Sequence, residues 1–253
     1  MNFQELSRPS LAEPGNKSFW YPLAEIIKPE MHTHELYAHN YPEGAVVHFT
    51  AGRSATDQDA LNSLSYGREQ GYSYFVIARS GKLFQASPLS NWGYHCGESK
   101  HPILGTGLSR KLVGIELANA GYLEKINENK YKSWFGEVFT ADQVRYVDEK
   151  SDCQPGYYHK FSDQQEYALF NLLIWLKLNN PDVFNLDYVL GHHEISGLKA
   201  LGHWRKNDPG GSISIPMQKL RDTLKKGFKW NSEHLNGTSG DLVKLVDLKL
   251  PQL

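Results

Sequence analysis

The sequence is poor in cysteine and has no excess charge of either sign. Its 253 residues include two cysteines, Cys96 and Cys153, which are too few for a disulfide framework or a four-cysteine zinc site. The 27 basic and 28 acidic residues give a net charge of −1, which argues against a large nucleic-acid-binding surface. Hydrophobic residues make up 40% and charged residues 22%, which excludes an intrinsically disordered chain.

Long hydrophobic runs are also missing. The longest apolar stretch, Leu169–Leu178, is interrupted by Asn171 and Lys177 and falls short of the ~20 residues that a membrane helix needs. The first residues lack the basic segment and apolar core of a secretory signal peptide. We therefore expect a chain made in the cytoplasm that either stays in the cytosol or reaches the cell wall or periplasm by a non-Sec route.

Strand-like and helix-like patterns alternate along the chain, which predicts the α/β class. Ser162 and Gln165 are spaced as a capping box before a helix with a core-facing apolar stripe. Pro216 suits the first turn of a final helix, and Gly227 suits its end. The predicted strands cover about 45–50, 72–78, 82–86, 111–118 and 188–190, and the predicted helices about 57–69, 163–178 and 216–226.

These patterns predict one main domain over residues 45–228. Residues 1–44 have weak periodicity and are expected to form an N-terminal extension, and residues 229–253 a C-terminal tail. Residues from about 119 to 160 contain glycine, asparagine, lysine and aromatics without a clear period. We interpret this stretch as an insertion with short elements.

Eleven histidines outnumber the cysteines, so a metal site in this chain would use imidazole and carboxylate ligands. His48 lies in the first predicted strand, His192 follows the last, and Asp208 precedes Pro-Gly. Each alone has a simpler explanation, since a strand histidine is usually a core residue and Asp-Pro-Gly is usually a turn. Together, two imidazoles and one carboxylate form a three-ligand zinc set with an open fourth position, where bound water becomes acidic.

Six sequence motifs follow one another along the chain: Val46–Gly52, Gly71–Ile77, Trp92–Gly97, Val113–Leu117, Gly191–Ile195 and Arg205–Gly210. They occur in the order seen in the zinc-dependent N-acetylmuramoyl-L-alanine amidases, the family that includes peptidoglycan recognition proteins and AmpD-like enzymes. The chain resembles this family over about residues 45–226. The resemblance implies a central mixed β-sheet flanked by helices, with zinc in a surface groove.

The resemblance also implies a role for each matching residue. The implied zinc ligands are His48, His192 and Asp208. The implied catalytic residues are Glu116, which activates water, Lys206, which faces the scissile carbonyl, and Tyr72, which stands beside the metal. The implied substrate-groove residues are Trp92, His95 and His203.

Several of these assignments have alternatives. Glu116 could form an ordinary salt bridge at a sheet edge, Lys206 could be a solvated charge, and Tyr72 could be plain core packing. His203 could compete with Asp208 as a ligand instead of lining the groove.

Two further histidines are ambiguous. His95 could be a surface loop residue, because its motif is stretched relative to the Trp-His-Ala-Gly pattern of the family. His193 adjoins His192, and adjacent residues on a short strand or turn point apart. Only one of these two is therefore expected to reach the metal.

The activity implied by the resemblance is zinc-dependent hydrolysis of the amide between N-acetylmuramic acid and L-alanine. The expected substrate is peptidoglycan or a muropeptide, and the sequence identifies no protein partner. Two alternatives remain, a peptidoglycan-binding module without catalysis and a zinc peptidase acting on the stem peptide. Filled positions for all three ligands favour an enzyme over the binding module.

Overall fold

The structure is a computed structural model that describes residues 18–28, 35–72, 75–197 and 205–234. A six-stranded sheet forms its centre, with the strand order β1-β4-β3-β7-β2-β13. Neighbouring strands in it run parallel except β3 and β4, so the predicted mixed sheet is confirmed. The strands are β1 (Ala24–Ile26), β2 (Gly44–Phe49), β3 (Phe75–Ile77), β4 (Leu83–Gln85), β7 (Leu112–Leu117) and β13 (Val189–Gly191).

Helices cover both faces of this sheet, which completes the predicted α/β architecture. α2 and α4 pack on one face through residues such as Leu173 and Leu224, against Val47 and Ile115 of the central strands. α1 packs on the other face through Ala60 and Leu64. The helices are α1 (Asp57–Gln70), α2 (Asp163–Asn179), α3 (His192–Ser196) and α4 (Met217–His234).

Local sequence signals explain most of the helix boundaries. Thr56 caps α1 through a capping box with Asp59, and Gly71 ends it in the left-handed conformation. Ser162 and Gln165 form the predicted capping box of α2. The predicted end of the last helix at Gly227 is wrong, because α4 continues to His234. A Cβ on Gly227 would lie 3.2 Å from the Phe170 ring, so this glycine serves the close packing of α4 on α2.

The predicted insertion at about 119–160 contains a second, five-stranded antiparallel sheet with the order β10-β9-β8-β12-β11. A small apolar cluster that includes Leu123, Tyr131, Phe139 and Val144 supports it. Two short strands, β5 (Lys100–His101) and β6 (Gly105–Thr106), form a separate hairpin. The strands of the five-stranded sheet are β8 (Tyr122–Asn127), β9 (Lys130–Lys132), β10 (Val138–Thr140), β11 (Val144–Val147) and β12 (Gly156–His159).

The domain boundaries stay a prediction. Within the proposed N-terminal extension, β1 adds to the edge of the central sheet beside β4. The helices of the described part of the chain include none with the length and hydropathy needed to span a bilayer.

Candidate metal centre

The centre lies on the sheet face that α1 partly covers, near the carboxyl ends of two adjacent parallel strands. His48 of β2 pairs in register with Glu116 of β7, so the two side chains project side by side. β13 pairs with the other edge of β2 and delivers His192 as the first residue of α3. The segment before α4 carries Asp208 into the same place.

Three buried side chains converge at this point. Asp208 Oδ2 lies 2.8 Å from His48 Nδ1 and 3.0 Å from His192 Nδ1. The three potential ligand atoms all lie within 4.8 Å of one another. The structure thus brings together the three residues that the sequence analysis predicts as metal ligands.

Hydrogen bonds on the far side of each imidazole indicate which ring nitrogen carries the proton. His95 Nε2 is 2.8 Å from the Leu112 carbonyl, which can only accept, so His95 Nδ1 is left as an acceptor. His48 Nε2 lies 3.0 Å from His95 Nδ1 and is therefore the donor to it, so His48 Nδ1 keeps a lone pair. His192 Nε2 donates to the Cys96 carbonyl at 3.0 Å in the same way.

These tautomers make the convergent atoms a ligand set for a cation. His48 Nδ1, His192 Nδ1 and Asp208 Oδ2 all present lone pairs to one another at close range, which is repulsive unless a cation or a shared proton lies between them. Neutral imidazoles and an ionised carboxylate are the ligand states that a divalent metal needs. The residues therefore fit a metal ion.

The pKa values of the ligands agree with these states. Burial, and next the neighbouring His192, lower the pKa of His48 to about 4, which keeps its imidazole neutral near pH 7. Burial acts to raise the pKa of Asp208. The close approach of His192 and His48 outweighs that effect and holds the pKa of Asp208 well below its ordinary value.

Glu116 is a buried carboxyl with a raised pKa. Its Oε2 is buried and has no hydrogen-bond partner among the described residues. Burial, with a smaller contribution from Asp208, raises the pKa of this carboxyl to about 8, against the opposing charge of Lys206. An ordinary salt bridge would lower this pKa instead, so the raised pKa argues against a salt bridge at Glu116. Its catalytic role stays a prediction.

Lys206 is exposed and sits two positions before Asp208. The adjacent Arg205 is anchored by hydrogen bonds to the Cys96 carbonyl and to Ser196 Oγ at 2.8 and 2.7 Å. This anchor fixes the segment that carries both the lysine and the aspartate.

His95 lies against the metal ligand His48, whereas Trp92 packs against Tyr94. His95 occupies the space above Gly114, where a Cβ would approach its ring to 2.9 Å, and contacts His48 directly. Trp92 is buried beneath Tyr94, with ring centroids 5.0 Å apart. The substrate-binding roles expected for both residues stay predictions.

Tyr72 stands apart from this group. It lies four positions before Val76, the β3 residue that pairs with Glu116, and so toward the opposite end of the strand. Its ring is 45% exposed, so it is not core packing. Its catalytic role stays a prediction, and His203 falls outside the described residues.

The structure adds supporting residues that the sequence patterns did not reveal. His193 directs both its backbone N–H and Nδ1 to the Asp208 carbonyl, at 2.8 and 3.1 Å. Glu194 accepts from the Gly191 N–H at 2.7 Å and forms a two-pronged ion pair with Arg221 of α4. The adjacency of Glu194 to the histidine pair was a visible signal, whereas nothing local pointed to Arg221.

Comparisons with known proteins identify the family of the chain. A family model for N-acetylmuramoyl-L-alanine amidase matches residues 38–211, more than half of the chain. No curated protein sequence matches the chain.

Several solved structures are similar in part. A selenomethionine derivative of AmpD has 17% identity and a TM-score of 0.49, covering 82% of this chain and 97% of that one. AmiD from E. coli, in complex with anhydro-N-acetylmuramic acid-L-Ala-D-gamma-Glu-L-Lys, has 21% identity and a TM-score of 0.47, covering 72% of this chain and 58% of that one. AmpDH3 from Pseudomonas aeruginosa, in complex with anhydromuramic pentapeptide, has 17% identity and a TM-score of 0.46, covering 90% and 82%.

The matched range, residues 38–211, includes the three predicted metal ligands His48, His192 and Asp208. It also spans Glu116 and Lys206. The family predicted from the six sequence motifs is confirmed, and with it the expectation of an enzyme. The chain belongs to the N-acetylmuramoyl-L-alanine amidase family of hydrolases.

Proposed function

We propose that this protein is a zinc-dependent hydrolase that cleaves the amide bond between N-acetylmuramic acid and L-alanine in peptidoglycan or its muropeptide fragments. The observation that carries the proposal is the convergence of His48, His192 and Asp208, with their ligand atoms within 4.8 Å, in a chain of the amidase family. Two imidazoles and one carboxylate are a ligand set that suits zinc and leaves a position open. A bound zinc ion supplies Lewis acidity toward water and the scissile carbonyl.

Glu116 transfers the proton in the proposed reaction. Glu116 projects beside His48 and accepts the proton of the attacking water at its unpaired Oε2. The same carboxyl then returns that proton to the leaving amine of L-alanine. A pKa of about 8 suits both steps, because a group that titrates near the working pH can take up and release a proton.

Lys206 supplies positive charge to the carbonyl oxygen as negative charge develops there. Its side chain is exposed, and its positive charge opposes the rise in the pKa of Glu116, which supports this role. His95 does not react in this scheme. It orients His48 by accepting from Nε2, so that Nδ1 faces the metal position.

The test is digestion of purified sacculi and of soluble anhydro-muropeptides, followed by mass spectrometry of the products. We expect intact stem peptides with a free L-alanine amine, together with peptide-free N-acetylmuramic acid residues that carry a free lactyl carboxylate. Shortened peptides still attached to the sugar would identify a peptidase, and binding to sacculi without any product would identify a recognition module. Either result would overturn the proposal.

Two variants serve as controls in the same digestion. His48→Ala is expected to lose both the metal and turnover. Glu116→Gln is expected to keep the metal, because Glu116 is not one of the convergent ligands, but to lose most of the activity.

A further inference from the structure

Trp134 is the most conspicuous apolar side chain on the surface. It is 79% exposed, and no other large apolar side chain in the described ranges exceeds that fraction. An indole of this size normally contributes to a core or an interface. An exposed tryptophan whose position is fixed by the structure therefore indicates a binding site.

Two contacts and a closed turn fix Trp134. Its indole Nε1 donates to the Ala51 carbonyl at 2.7 Å. Its ring packs edge-on against Phe135, with centroids 5.5 Å apart and an interplanar angle of 87°. It sits in the hairpin turn between β9 and β10, which is closed by the hydrogen bonds from Ser133 N to the Glu137 carbonyl and from Gly136 N to the Ser133 carbonyl. The exposed ring is thus preorganised.

The residue that accepts this hydrogen bond belongs to the loop leaving the metal centre. Ala51 comes three residues after His48, so their Cα atoms are at most ~11 Å apart. Ala51 has a φ of +50°, a left-handed conformation that is unfavourable for a residue with a side chain. Its loop is bound to the base of the five-stranded sheet, because Gly52 N donates to the Asn119 carbonyl. The strained loop directs its carbonyl to the indole.

The position of Trp134 relative to the metal ligands follows from the strand direction. His95 covers Gly114, two residues before Glu116, and closes the centre toward the amino ends of β2 and β7. Trp134 is bonded beyond the carboxyl end of β2, on the other side of His48. In the proposed function the scissile amide lies at the metal centre, so a substituent that extends past the carboxyl end of β2 runs toward Trp134.

We propose that Trp134 is a substrate-binding residue that stacks on a sugar ring of the peptidoglycan glycan. This inference rests on the proposed function, and it assigns the glycan side of the cleft to the hairpin of β9 and β10. The C–H face of a pyranose ring matches a flat, exposed indole. The stem peptide, with its carboxylates and backbone amides, is better matched by charged and hydrogen-bonding groups than by a bare aromatic face.

The test uses GlcNAc–MurNAc–tetrapeptide as substrate and compares Trp134→Ala, Trp134→Phe and Tyr146→Ala with the wild type. Tyr146 is the matched control, since it is 60% exposed on β11 of the same sheet but packs on Tyr157 away from the Ala51 loop. We expect Trp134→Ala to raise KM about tenfold, equivalent to about 1.4 kcal/mol, and to leave kcat within about twofold. Trp134→Phe, which keeps an aromatic face, should raise KM less, and Tyr146→Ala should change neither constant.

The two products distinguish the glycan from the peptide. Trp134→Ala should weaken the binding of peptide-free GlcNAc–MurNAc about tenfold in calorimetry and leave the binding of the free tetrapeptide unchanged. Unchanged KM and unchanged binding of both products would overturn the inference while leaving the hydrolase intact. A loss confined to the tetrapeptide would also overturn it. If the wild type cleaved nothing, the function would fail, and the calorimetry would still decide the role of Trp134.

Discussion

The carboxyl of Glu116 is buried, and its Oε2 has no hydrogen-bond partner in the part of the chain that the structure describes. The cost of this burial to the stability of the folded protein can be measured. The unfolded chain releases this proton near pH 4.5, whereas in the folded protein burial raises the pKa to about 8. The stability associated with the protonated group is therefore fully present below pH 4.5 and is lost as the pH rises toward 8. Between pH 4.5 and 7 the loss is about 3 kcal/mol, at about 1.4 kcal/mol per pH unit.

The substitution Glu116→Gln removes this loss, because a neutral amide of nearly the same shape does not titrate. In metal-free protein, we expect the variant to gain up to about 3 kcal/mol over the wild type on going from pH 4.5 to pH 7. The protein would then gain stability from the same change that removes its proton acceptor, as expected of a group kept for function.

Guanidinium unfolding of chelator-treated protein at several pH values measures this difference, with the slope of each transition checked for equality. Glu124→Gln is the control, because the Glu124 side chain is 74% exposed and its surface ion pair with Lys132 contributes little to stability. Parallel stability profiles for Glu116→Gln and the wild type between pH 4.5 and 7 would refute the reasoning about Glu116.

Other predictions concern the residues around the ligands. Arg221→Ala leaves Glu194 without its ion-pair partner beside the His192 helix, and we expect chemical denaturation to show a loss of about 3 kcal/mol or more. Gly114→Ala places a Cβ 2.9 Å from the His95 ring, so it should weaken metal binding in a chelator competition. His95→Phe removes the acceptor of the His48 Nε2 proton and should raise the metal dissociation constant about 10- to 100-fold, whereas unchanged affinity would contradict the orienting role of His95.

The sequence predicted five of the six central strands, because β2, β3, β4, β7 and β13 have local apolar signals. It missed β1 (Ala24–Ile26), which lies in a stretch of weak periodicity. β2 and β7 are continuous apolar runs, as expected for parallel strands buried on both faces. The capping box at Ser162 locates the start of α2. Resemblance to a family then linked residues 160 positions apart, such as His48 and Asp208, which no local pattern could do.

The five-stranded sheet was not predicted because its strands bury few side chains each. Leu123, Tyr131, Phe139 and Val144 come from four different strands, so no strand repeats the apolar alternation that identifies a half-buried strand. Trp134 was missed because its hydrogen bond to Ala51 spans 83 positions, which no local pattern reveals. Gly227 misled the prediction because close helix packing and helix termination both favour glycine.

The proposed hydrolysis depends on His48, His192 and Asp208 holding one metal ion. Elemental analysis of purified protein, after dialysis against zinc and removal of loosely bound metal, tests this directly. We predict about one zinc ion per chain in the wild type and in Glu116→Gln, and a large loss in His48→Ala and Asp208→Ala. Wild-type protein that retained no zinc, or a His48→Ala variant that retained all of it, would contradict the account.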